Sequence, residues 1–112
     1  MALTYIDDSV DTITSGGGEQ DLTQVTSAAN TVYVMAVDLT NLVGVEACTI
    51  SAYLDIGTGL VLLSEDLVTN GTDPLMLVLP PLPSLEGLDV KWTATPSGYG
   101  ANRQLHWVLC SL

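Results

Sequence analysis

Apolar positions recur along this chain at the spacing of strands, and no stretch sustains a helical period. EACTISAYLD (Glu46 to Asp55) alternates cleanly. Cys48, Ile50, Ala52 and Leu54 fall on one face, Thr49, Ser51, Tyr53 and Asp55 on the other. GLDVKWTATP repeats the pattern, with Leu88, Val90, Trp92 and Ala94 inward and Asp89, Lys91, Thr93 and Thr95 outward. RQLHWVLCSL puts Leu105, Trp107 and Leu109 on one face and His106, Val108 and Cys110 on the other. Shorter strands are expected near Val10 to Thr14 and over Leu22 to Thr26. SGGGEQD, IGTG, VTNGTD and SGYGAN supply the turns, and Asn70-Gly71 is the strongest local hairpin signal. The pattern predicts an all-β fold: an antiparallel β-sandwich or jelly-roll-like domain of about eight short strands, with turns every ~8–12 residues. Residues 1–112 form one domain, with residues 1–15 a candidate extended arm.

Three segments refuse to alternate. Thr31 to Leu39 and Leu60 to Leu63 are apolar at nearly every position, and Pro74 to Leu79 contains five consecutive large apolar residues before Pro80, Pro81 and Pro83. Prolines cannot donate to a ladder, so they are expected to end that strand and stiffen the connection after it. Three two-sided apolar strands cannot all be covered on both faces in a two-layer sandwich of this size. Monomers rarely expose contiguous apolar patches beyond a few hundred Å². Some of these faces are therefore expected to meet another subunit, with Leu75, Met76, Leu77, Leu82 and Leu85 as interface residues and a closed homo-oligomer the simplest assembly. The competing expectation is that each of these leucines is ordinary core in a tightly packed, irregular sandwich.

Charge narrows the partners. Thirteen acids against two bases give a formal net charge of −11, which excludes the clustered cations that nucleic acids require and disfavours anionic membranes. No apolar run approaches the ~20 residues of a spanning helix. MALTYIDDSVDT lacks a basic n-region and an apolar h-region, so no secretory signal is expected. Cys48 and Cys110 both fall in strands, where free thiols are common, and are expected to stay unpaired.

Chemistry is hard to assemble. His106 is the sole histidine, and Cys110 lies four residues along the same strand, roughly 13 Å away at strand rise. One His and two distant Cys lack zinc spacing. Asp7, Asp8 and Asp11 cluster without the register of a calcium loop. No catalytic residue, metal site or cofactor is expected, and the chain reads as a non-enzyme. Tyr53 and Tyr99 are the aromatic residues expected at the surface.

The run YLDIGTGLVLLSEDL, then DPLMLVLPPLPSLEGLDVKWTAT, a glycine-rich loop and NRQLHWVL resembles small all-β structural proteins of tailed bacteriophages. Those share a D-x-G-x-G hairpin, a Pro-rich edge, a Leu-Glu-Gly-Leu turn and a closing aromatic strand. The resemblance covers Tyr53 to Leu109, about half of the chain. It implies a virion component of the capsid decoration (cement) type, made in the host cytoplasm, with the major capsid protein or another virion protein as partner and a trimer as the favoured oligomer. A tail-fibre or receptor-binding tip, with Tyr99 as a loop contact to host glycan, is the alternative. A free-standing ligand-binding module is the third reading.

Overall fold

The computed structural model describes residues 3–112. Its nine strands are β1 (Thr4–Ile13), β2 (Gln20–Thr26), β3 (Thr31–Asp38), β4 (Ala47–Asp55), β5 (Leu60–Thr69), β6 (Met76–Val78), β7 (Leu82–Ser84), β8 (Asp89–Ser97) and β9 (Arg103–Ser111). They form two antiparallel sheets. The first runs β1-β9-β3-β6, with β7 also paired to β3, and the second runs β2-β8-β4-β5.

β6 pairs with the end of β3, through Val37 and Leu77, and β7 with its start, through Val32 and Pro83. They behave as one edge strand interrupted at Pro80 and Pro81. Counted so, eight strands alternate between the sheets in the order of a jelly roll, with every connection crossing between sheets except the β4–β5 hairpin. The expected all-β sandwich is what the chain forms.

Sheet parity follows the sequence. Tyr33, Met35 and Val37 from β3 and Leu105, Trp107 and Leu109 from β9 bury against Cys48, Ile50 and Ala52 from β4 and Val90, Trp92 and Ala94 from β8. Tyr33 meets Trp92 edge to face across the sheets, with ring centroids 6.1 Å apart. The Tyr33 hydroxyl is satisfied by Ser27 Oγ at 3.2 Å, and Ser27 also bonds Ser84 at 2.8 Å. Trp107 Nε1 donates to Asp11 at 2.7 Å. These polar tips are thereby paired, while Asp66 Oδ2, on β5 opposite Ile50, is buried without a partner among the described residues.

Three local expectations change. Residues 1–15, expected as an arm, contain β1, which pairs with β9 from Thr4–Ser111 to Ile13–Arg103 and forms a sheet edge. The IGTG hairpin forms as expected, with Asp55 Oδ1 accepting from the amides of Gly57 and Gly59. Asn70-Gly71, by contrast, makes no hairpin. Gly71 does take the left-handed conformation such a turn needs (φ 82°), but the turn carries the chain from β5 in one sheet to β6 in the other. The dipeptide specifies a reversal, while the sheet that receives the returning strand is chosen by where Leu75, Leu77 and Leu79 bury. The prolines also do not end pairing: β7 resumes beyond them. Pro83 is tolerated there because β7 is an edge strand whose open side needs no donor.

Candidate functional site

With Tyr33, Met35 and Val37 inward, the alternate residues of β3 line the opposite side of its sheet. Register then assembles the outer face of the five-stranded sheet row by row. Val10, His106, Asp38 and Met76 make one row, and Asp8, Val108, Ala36 and Val78 the next. Beyond these, Tyr5 lies opposite Cys110 and Cys110 opposite Val34, and Val32 lies opposite Pro83. Thr12 lies opposite Gln104 at the other end, and the face is apolar except for Asp8, Thr12, Asp38, Gln104 and His106. Tyr5, Val10, Met76 and Val78 are exposed on it, and Val32, Val34, Ala36 and Val108 are half-buried by their neighbours alone.

The outer face of the four-stranded sheet has the opposite character. It carries Thr49, Ser51 and Tyr53 from β4, Thr93, Thr95 and Lys91 from β8, and Glu65 beside the exposed Leu67 from β5, with Ser51 and Thr93 buried beneath their neighbours. That is the polar dress of an antiparallel sheet facing water. The β4–β5 hairpin adds a second apolar surface at its end, where Ile56 and Leu60 to Leu63 are exposed.

The expected interface residues separate. Met76, 61% exposed, lies on the apolar outer face, and Leu85, 57% exposed, lies just beyond β7. Leu75 and Leu77 are half-buried and pack against the core. Leu82 is a correction: at 2% exposure it is core, on the same parity as Tyr33, and offers no surface to a partner. Tyr99 is half-buried. It was expected at the loop surface, yet its ring packs against the core and its hydroxyl reaches the buried Cys48 thiol. Burial, with that thiol beside it, pushes the Tyr99 phenol far up. Burial likewise raises Cys48. Tyr53 is half-buried, its hydroxyl donating to Glu19. The outer-face residues Tyr5, Val10, Val34, Val78 and Val108 were missed individually. The parity of β9 carried part of the signal by placing Val108 and Cys110 opposite the core, but joining them to Val34 and Val78 required the strand pairing.

Several other titratable groups are held in local structure. Asp7, Asp8 and Asp11 do not converge. Asp7 accepts from the Asp8 amide, Asp8 from Tyr5, and Asp11 from Trp107 and Ser9. Among the described residues, no group of three or more His, Cys, Asp or Glu is placed to hold a metal ion. His106 Nε2 lies 3.3 Å from Asp8 Oδ2 on the outer face. Cys48 and Cys110 are free, one buried in the four-stranded sheet and the other on the outer face of its partner sheet. Glu46, buried at the loop before β4, takes a bidentate ion pair from Arg103 at 2.9 and 2.8 Å and the amides of Val43 and Gly100. The Arg103 guanidinium holds its carboxyl down to about 2.

No family model, curated protein or solved structure matches this chain.

Proposed function

We propose that this chain is a non-enzymatic structural protein of a virion, a capsid decoration protein that stabilises the shell by burying the outer face of its five-stranded sheet against coat subunits. One observation carries the reading: the two outer faces differ in kind. One is mainly hydroxyl-rich and charged, with Leu67 as its exposed apolar residue, and the other carries Tyr5, Val10, Val34, Ala36, Met76, Val78 and Val108 over four strands, with its polar residues in the minority. A sandwich that faced water on both sides would be polar-out on both. The net charge of −11 keeps a chain with so much apolar surface soluble before it docks. Jelly rolls recur in viral capsid domains and also in lectins, an analogy of fold that agrees with the reading without defining it. Met76 and Leu85 are the contact residues kept from the sequence, with Val78, Val10 and Tyr5 added. Leu75, Leu77 and Leu82 support this edge from beneath.

The test is cosedimentation of the purified chain with coat-protein shells that lack it. Wild type should bind at a fixed ratio to coat protein, and Met76→Asp with Val78→Asp should abolish binding while leaving the urea midpoint unchanged. Failure of the wild type to cosediment overturns the proposal.

A further inference from the structure

The polar face holds a built depression. Register sets its floor: Thr95 faces Thr49, Thr93 faces Ser51, and Ser51 faces Glu65. Glu19, at the entry to β2, reaches over this floor to accept hydrogen bonds from Thr93 Oγ1, at 2.6 Å, and from the Tyr53 hydroxyl. Those two donors hold the Glu19 carboxyl below its ordinary value. The result is a depression of about 280 Å³ with Glu19 and Glu65 among its walls and Thr49, Ser51 and Thr95 hydroxyls between them.

Two further observations point to what fills it. Ser51 is only 3% exposed, yet its hydroxyl lines the depression and makes no hydrogen bond to any described residue. That hydroxyl is reached through the depression and is open to a ligand, the fully buried unpaired side-chain oxygen among the described residues being Asp66 Oδ2 instead. The Glu65 carboxylate also lacks a partner among the described residues, and the chain's two bases are engaged elsewhere. Lys91 is held by Asp21 at 3.0 Å and stands over the Tyr53 ring, while Arg103 is locked on Glu46. The depression thus offers acceptors and negative charge, and the base nearest to it, Lys91 over the Tyr53 ring, is bonded to Asp21 outside it.

We infer that this depression is a docking site for a basic side chain of a partner protein, an arginine guanidinium above all. A guanidinium carries five donors in a planar fork and no acceptor, which matches a floor of hydroxyl and carboxylate oxygens. An ammonium carries only three donors on a point charge. The site is on the sheet opposite the apolar face, so it stands independently of the capsid reading. It predicts that this chain reads a basic protrusion with one face whatever it buries with the other.

The experiment is an amide-resolved NMR titration of the full chain with N-acetylarginine methylamide, a cation without a carboxylate. Saturable shifts confined to Thr49, Ser51, Glu65 and Thr95 are expected. Glu65 is exposed, so Glu65→Gln should keep the native spectrum and weaken binding about tenfold or more, the expected value of a lost charge-assisted contact. Raising salt should weaken the wild type as well. The neutral isostere N-acetylcitrulline methylamide should shift nothing. The lysine analogue should bind more weakly, and if it binds better the guanidinium assignment is wrong. Absence of saturable shifts, equal shifts with the citrulline probe, unchanged affinity in Glu65→Gln, or shifts produced by methyl glucoside in place of the cation each overturn the inference.

Discussion

Glu46 and Arg103 form a bidentate ion pair that two backbone amides also hold, and its chemistry dictates a pH response. The Glu46 carboxyl titrates at about 2 when folded, against 4.5 when free. Its folded value is depressed, so its contribution to stability is complete above about pH 4.5 and is lost as pH falls toward 2. Glu19, Asp38 and Asp89 are also held down, by Thr93, Thr40 and Thr26 respectively, and add to the same acid-side loss. Protonation also relieves the mutual repulsion of thirteen acids, which works in the other direction. Comparison with Glu46→Gln separates the two effects, because both proteins share the repulsion. In urea titrations, the stability gap between wild type and variant should be flat above about pH 5 and should narrow as pH falls toward 2. A gap that stays constant down to pH 2 would mean that the ion pair adds nothing. This pair was not legible in the sequence. Glu46 and Arg103 lie at the ends of two strands that belong to different sheets, and only the folded topology brings them together.

Single strands were far more legible than their pairing. β4, β8 and β9 followed from strict alternation, and every inward residue assigned from them is buried or nearly so. β3 was legible as two-sided, but alternation alone does not tell whether a second apolar face is covered. The segment Pro74 to Leu85 misled in a different way. Proline was read as a stop, whereas at an edge it removes a donor that the ladder never uses, so pairing continues through Leu82 to Ser84. The two members of this edge should differ sharply on truncation. Leu82→Ala should cost about 2–5 kcal/mol in the isolated chain, as a buried leucine. Met76→Ala and Leu85→Ala should stay within about 0.5 kcal/mol, as surface changes. Urea denaturation of the three variants checks this ranking, and a destabilised Met76→Ala would show that this residue belongs to the core after all.

The molecule as a whole is a plate with one wet and one oily outer side, and its charge decides how the oily sides meet. Two copies at −11 each repel, and the repulsion between exposed charges is screened as ionic strength rises. Association of the free chain through the apolar face should therefore strengthen with salt. Analytical ultracentrifugation at about 20 mM and 500 mM NaCl spans Debye lengths of roughly 20 and 4 Å and reads this directly. Met76→Asp with Val78→Asp should remain monomeric at both. Association that weakens with salt would mean that the copies are held by ion pairs and not by this face.

The topology also fixes when the molecule can exist during its own synthesis. β8 lies between β2 and β4, and β9 between β1 and β3, so the last two strands in chain order are each an interior strand that joins the earlier strands of its sheet. A nascent chain that stops before Asp89 holds the β4–β5 hairpin and a few short pairings, but neither sheet has its middle. Contacts such as Thr4 with Ser111 span nearly the whole sequence, and closing loops of that length makes folding slow. Until β8 and β9 emerge, the apolar strands stay uncovered, and folding is a late event that waits for both of them.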